Sequence, residues 1–190
     1  MKNVLIVVDM QNDFVSGSLG TKEAQAIETA VCEKIMAFDG KVYATLDTHG
    51  EDYLETQEGR RLPVKHCIAG TTGWAPTAAV GMALASKADN GKKTKPAEGE
   101  LMMEDCFVMK EGFGSADLPF RILEEVGEDL GEITLIGLCT DICVIANAMI
   151  LKSFFPENRI VVDSSCCAGV TPESHETALN AMRACQIDVI

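Results

Sequence analysis

Positive charge is scarce in this chain: sixteen lysines and arginines stand against twenty-nine aspartates and glutamates, a formal net charge of −13. A surface of that sign repels phosphate backbones and anionic lipid, so nucleic-acid binding and a membrane-surface role are disfavoured. Solubility is the ordinary use of such an excess. No apolar run approaches the ~18–20 residues that cross a bilayer. The opening Met1-Lys2-Asn3-Val4-Leu5-Ile6-Val7-Val8-Asp9 is apolar only briefly and lacks a small-residue cleavage site, so it reads as a buried strand rather than an export signal. Repeats, low-complexity tracts and Pro/Gly-rich linkers are also missing, and 190 residues make about one domain, 1–190. Eight cysteines occur, but without the paired CxxC spacing of a zinc ribbon. With 47% hydrophobic residues the chain has core enough to fold without a disulfide framework. We read reduced thiols in a cytoplasmic protein, most of them small buried hydrophobes.

What is present is an alternation. Apolar runs at Val4–Val8, Val42–Leu46, Cys106–Met109, Ile133–Leu138 and Ile160–Val162 are continuous, as in parallel strands covered on both faces. Helical patterns lie between them. Ile27, Ala30, Val31, Ile35 and Phe38 follow a possible Thr21 cap, and Thr171-Pro172 opens a last helix carrying Ala178, Leu179 and Met182. Asp117–Val126 is a shorter helix, and Ile142–Leu151 is apolar almost all round. The segment Lys87–Gly99 reads as a solvated loop or hairpin with no chemistry. The pattern predicts an α/β fold, a three-layer sandwich around a mainly parallel sheet of about six strands. Ligands in such sheets bind beyond the carboxyl ends of the strands.

Those ends carry polar residues. Asp9 closes the first run, Asp47-Thr48-His49 the second, Lys110 the third, and Cys139-Thr140-Asp141-Ile142-Cys143 the fourth. Each alone is an ordinary cap or turn residue. Together, one acid, one cation and one thiol share a rim. With Thr140 or Asp141 as cap, Cys143 falls in a first helical turn, where free amide N–H groups favour thiolate. Lys110 would depress the thiol pKa further and Asp9 would accept its proton. Such a thiolate is a nucleophile beside a ready oxyanion site. Asp47 and His49, two apart, and the later His66 also form a plausible zinc or iron(II) set. His175, the remaining histidine, is assigned to structure.

The segments Asp9-Met10-Gln11-Asn12-Asp13-Phe14, Lys110 and Gly137-Leu138-Cys139-Thr140-Asp141-Ile142-Cys143-Val144 resemble the three signatures of the isochorismatase-like cysteine hydrolases, and most closely the nicotinamidase-related amidases. The resemblance covers nearly the whole chain in the family's order. It implies a Rossmann-like fold in which Cys143 is the nucleophile, Asp9 the general base and later acid, and Lys110 the cation steadying both. It implies a cis peptide at Leu138–Cys139, with the Cys139 and Cys143 N–H groups forming the oxyanion hole. It further implies a divalent metal, Zn or Fe(II), on Asp47, His49 and His66, with Glu58, or failing it Glu55, as an added ligand. The metal would hold a pyridine nitrogen, so the expected reaction is nicotinamide to nicotinate plus ammonia, in pyridine-nucleotide salvage.

The family's stacking aromatic ahead of the last metal histidine has no counterpart at Leu62-Pro63. Phe14 and Trp74 are the candidates for the substrate pocket instead. The resemblance also implies a homo-oligomer. Two rivals stand beside this reading. One is a metal-free cysteine hydrolase of the same fold acting on an N-carbamoyl compound. The other is a non-catalytic ligand-binding or redox-sensing protein using Cys139 and Cys143.

Overall fold

The computed structural model describes residues 1–89 and 106–190. Six strands form one sheet: β1 (Lys2–Val8), β2 (Lys41–Asp47), β3 (Phe107–Lys110), β4 (Leu130–Leu138), β5 (Ile160–Ala168) and β6 (Asp188–Val189). Their order is β3-β2-β1-β4-β5-β6, and every pairing is parallel. The helices are α1 (Asn12–Val15), α2 (Lys22–Ala37), α3 (Gln57–Arg61), α4 (Ala78–Asp89), α5 (Leu118–Val126), α6 (Ile145–Phe154) and α7 (Pro172–Ala184).

Alternate side chains of the sheet feed two cores. Val4, Ile6 and Val8 of β1 pack with α5, α6 and α7 through Ile122, Leu151 and Met182. Leu5 and Val7 pack on the other face with α2 and α4 through Val31, Ile35, Val80 and Leu84. A strand apolar on both faces needs cover on both sides, and this produces three layers. The expected α/β sandwich is thus the observed one.

The capping expectations hold for two helices. Thr21 Oγ1 accepts from Ala24 N–H at the start of α2, and Thr171 and Ser174 make a reciprocal capping box ahead of Pro172. Several boundaries differ. β5 runs six residues past the predicted Val162, because Ser164 at its polar stretch bonds the Ile190 backbone and Asp163 is paired with Lys34. α4, too even in its apolar pattern to show helical periodicity, absorbs Lys87 from the expected loop. The remainder of that loop, Asn90–Gly99, lies outside the described residues.

The register positions the site. Asp47 lies directly beside Lys110 across β2 and β3, and Val8, the residue before Asp9, lies opposite Gly137. Gly137 has φ +112°, and a Cβ there would stand 2.2 Å from the Val8 carbonyl oxygen. Only glycine lets β4 close on β1 at this level. The turn that carries Cys143 therefore starts within reach of Asp9.

Candidate active site

Asp9 leaves β1 in a left-handed conformation, φ +48°, which is strained for a residue with a side chain. The neighbouring strand holds it there: the Asp9 N–H donates to the Thr45 carbonyl at 3.2 Å, and Thr45 Oγ1 donates to Asp9 Oδ1 at 2.6 Å. The second carboxylate oxygen, Oδ2, is ion-paired with Lys110 Nζ at 2.7 Å. Lys110 is buried and spends its ammonium on three neighbours: Asp9, Asp47 Oδ1 at 3.0 Å and Cys143 Sγ at 3.5 Å. The three residues read from separate strand ends do meet.

The electrostatics correct one expectation. Burial raises the Cys143 pKa well above the ordinary thiol value, and the Asp9 carboxylate adds to the rise; Lys110 opposes both but does not prevail. The Asp9 pKa is also raised, by burial first, against the pull of Lys110. Burial alone would lower the Lys110 pKa, yet Asp9, Cys143 and Asp47 together raise it. Burial thus favours the neutral form of both acids, while the lysine between them is favoured in its charged form. The nearest carboxylate to share a proton with the Cys143 thiol is Asp9.

The turn bearing Cys143 also differs from expectation. Thr140–Val144 is one π-helical turn, in which the Ile142 and Val144 N–H groups both donate to the Cys139 carbonyl. Neither Thr140 nor Asp141 caps it. Thr140 Oγ1 is hydrogen-bonded to His175 Nδ1 at 2.8 Å, and Asp141 Oδ1 accepts from Val170 N–H at 3.1 Å. The Leu138–Cys139 peptide is trans, as is every bond among the described residues. Cys139 instead leaves β4 extended, with its carbonyl turned to the following amides.

A second cluster adjoins the first through one carboxylate. Asp47 Oδ2 lies 2.8 Å from His49 Nε2 and 3.6 Å from His66 Nε2, and ligand atoms of the three residues fall within 4.8 Å of one another. The loops are stitched by a short parallel bridge, with His49 N–H donating to the Cys67 carbonyl and Ala69 N–H to the His49 carbonyl. Asp13 Oδ2 accepts from the Cys67 N–H at 2.8 Å, a contact that a Cβ at Gly73 would destroy. His66 Nδ1 lies 2.8 Å from the Val64 carbonyl, which can only accept, so Nδ1 carries the proton and Nε2 keeps its lone pair. His49 Nε2 is buried and faces the Asp47 and Glu58 carboxylates. Two imidazole nitrogens converging with a carboxylate oxygen suit a divalent cation. Glu58 Oε1 stands 3.8 Å from both Nε2 atoms, near but outside the tight trio, whereas Glu55 is exposed.

Several contributors were invisible to sequence reasoning. Tyr53 is fully buried with ring centroids 4.6 Å from His49 and 4.9 Å from His66, backing both. Gln11 accepts from the Asp47 N–H and donates to the Asp47 and Trp74 carbonyls, extending the sheet edge by one side chain. A cavity of about 790 Å³ opens beside the clusters, walled by Thr48, His49, Glu58, Leu62, Phe113 and Ile142. The two aromatics proposed for the pocket do not line it. Phe14 packs on His66 with centroids 5.5 Å apart, and Trp74 Nε1 donates to Thr48 Oγ1 at 2.9 Å; both hold the loops from behind. The aromatic in the wall is Phe113, half-exposed three residues beyond Lys110. A Phe in a Gly-Phe-Gly loop carries no signal that it faces a cavity.

Burying a lysine, two aspartates and a thiol at a strand edge, next to a chelating trio and a cavity, defines a hydrolase-type site rather than a packing core. The chain belongs to the isochorismatase family: the Isochorismatase domain model matches residues 3–83 and 86–190. Within it the chain is a nicotinamidase-like cysteine hydrolase of amide C–N bonds. A Bacillus subtilis isochorismatase family protein, PncA, is 30% identical over 191 residues, covering 95% of this chain and 93% of the relative. The crystal structure of nicotinamidase/pyrazinamidase PncA from Bacillus subtilis superposes with a TM-score of 0.79 at 27% identity, over 100% of this chain and 99% of that one. The pyrazinamidase of Pyrococcus horikoshii in complex with zinc gives 0.75 at 25% identity, with the same coverage.

Proposed function

We propose that this protein is a nicotinamidase, a single hydrolase domain that converts nicotinamide to nicotinate and ammonia through a thioester on Cys143. The observation that carries the reading is the single ammonium of Lys110 in contact with Asp9, Asp47 and Cys143 at 2.7, 3.0 and 3.5 Å. The likeness to nicotinamidase/pyrazinamidase structures supports the substrate class. A cavity of about 790 Å³ is ample for a six-membered ring with a carboxamide.

In this reading Cys143 Sγ attacks the carboxamide carbon while its proton passes to Asp9 Oδ2. The carbonyl oxygen gains the charge and is received by the N–H groups of Cys139 and Cys143. Asp9 returns the proton to the nitrogen as the C–N bond breaks, and ammonia leaves. Water then attacks the thioester, giving a proton to Asp9; the C–S bond breaks, nicotinate forms and the thiol is restored. Lys110 keeps its charge throughout and steadies the Asp9 carboxylate whenever the proton is elsewhere.

Asp47, His49 and His66 would bind a divalent ion, zinc or iron(II), with Glu58 as a further ligand directly or through water. What such an ion supplies is capture of the pyridine nitrogen, which orients the ring. Phe113 and Leu62 would then bound the ring. The role belongs to pyridine-nucleotide salvage in the cytoplasm, in a homo-oligomer, which light scattering would test.

The deciding experiment incubates purified protein with nicotinamide, pyrazinamide and N-carbamoyl acids and measures ammonia release. Hydrolysis of the first two, with a nicotinoyl adduct on Cys143 trapped by acid quench and mass spectrometry, is the expected result. Release from the carbamoyl acids alone would replace this reading with the other cysteine hydrolase. A reversible Cys139–Cys143 disulfide without turnover would replace it with the redox sensor.

A further inference from the structure

His175 lies thirty-two residues beyond Cys143, in the first turn of α7. It is nevertheless bonded into the turn that carries Cys143. We propose that His175 is a positioning residue for the reaction, setting the direction of Cys143 Sγ through Thr140; the inference rests on the reading of Cys143 as nucleophile.

The argument starts from the π turn. A five-residue π turn is wider and less regular than an α turn, so its shape has to be held from outside. Three outside contacts hold it. From α6, Asn147 Nδ2 donates to the Cys143 carbonyl at 2.8 Å, while Asn147 Oδ1 accepts from Ser115 N–H. From the loop before α7 and from α7 itself, Asp141 Oδ1 accepts from Val170 N–H, and Thr140 Oγ1 pairs with His175 Nδ1 at 2.8 Å. Thr140 is fully buried, so its hydroxyl depends on the imidazole for a partner.

The imidazole itself is fixed before it meets the turn. It stands on the first turn of α7, where the His175 N–H donates to the Thr171 carbonyl at 3.0 Å within the capping box. The loop before it abuts so closely that a Cβ on Gly169 would lie 2.9 Å from His175 N. A rigid helix start, a glycine that admits it and a buried hydroxyl that receives it make a strut from α7 to the nucleophile. The strut explains a histidine that no ligand cluster uses.

The test measures kcat and KM for nicotinamide, normalised to iodoacetamide-titratable Cys143, in His175→Ala, Thr140→Val, the double variant, His175→Asn and a Cys143→Ala control. Misplacing a nucleophile lowers kcat without weakening substrate binding, so each single variant should lose about tenfold in kcat with KM within about twofold. The double variant should be no slower than the slower single, because both substitutions remove one bond. Asparagine, with an amide acceptor and donor near Nδ1, should recover most of the loss. Wild-type kcat per titratable thiol in either single variant, whatever its melting temperature, overturns the inference, as do losses that multiply in the double. If His175→Ala does not fold, Thr140→Val carries the same comparison. An active Cys143→Ala enzyme would overturn the nucleophile and this strut together; an inactive one beside a fully active His175→Ala overturns the strut alone.

Discussion

Two cations of this protein each sit between a pair of carboxylates, at opposite ends of the same sheet. At the carboxyl end, Lys110 joins Asp9 and Asp47; at the amino end, Arg159 joins Glu132 and Asp188. The side chain of Lys110 is 1% exposed and that of Arg159 is 56% exposed. The amino-end trio forms where strands emerge into water, and solvent and salt screen it. The carboxyl-end trio had to be stripped of water, which a protein gains little stability by doing. A simple packing solution would put hydrocarbon there. The same charges thus mean different things: one trio dresses a surface, the other gathers two acids around a buried cation at the candidate site.

Substitutions can sharpen or break this contrast. Cys143→Ala should lower ammonia release from nicotinamide about 10³-fold or more, with the melting temperature nearly unchanged. Lys110→Met should abolish measurable turnover and also destabilise the fold by about 3–5 kcal/mol in urea titration, since it leaves Asp9 and Asp47 buried without a cation. Arg159→Gln should retain full activity and shift melting little, and less still in high salt; comparable losses at both ends would erase the distinction. Elemental analysis should find a stoichiometric divalent ion, and chelation should remove most activity until zinc or iron(II) is returned.

A subtler outcome concerns the shared proton. In chelator-treated protein the alkylation of Cys143 by iodoacetamide should rise with pH only above the free-thiol range of about 8.5. Asp9→Asn should move that profile downward, because the carboxylate is one of the causes holding the proton on sulfur. A profile titrating below a free thiol would restore the standing thiolate that the buried geometry argues against. Smallest of all, Trp74→Phe should cost about 1 kcal/mol for its hydrogen bond to Thr48 and leave kcat within a few-fold.

The parts of this architecture legible in the sequence are those that a strand's own apolar run announces. Val4–Val8 must be buried, so Asp9 must end it; the same logic delivered Asp47, Lys110 and the turn of Cys143. The metal-type trio was legible because His49 and His66 are two of only three histidines. What stayed hidden depends on contacts distant in sequence. Thr45 reaches Asp9 across 36 positions, and His175 reaches Thr140 across 35. Nothing local marks either. The direction of the thiol pKa was misjudged because a neighbouring lysine shows in the sequence, while the desolvation that outweighs it does not. Trp74 reads two ways in the sequence for a similar reason: an indole near a motif can face a ligand or brace a loop, and its bond to the Thr48 hydroxyl shows the bracing.

Asp47 presents one oxygen to each half of the site, Oδ1 to the lysine and Oδ2 to the imidazoles. A divalent cation held on Oδ2 would leave less negative charge for the ammonium on Oδ1, and the Lys110 field would then lean toward Asp9 and sulfur. One carboxylate would thus couple the charge in the chelating trio to a thiol that the trio never touches.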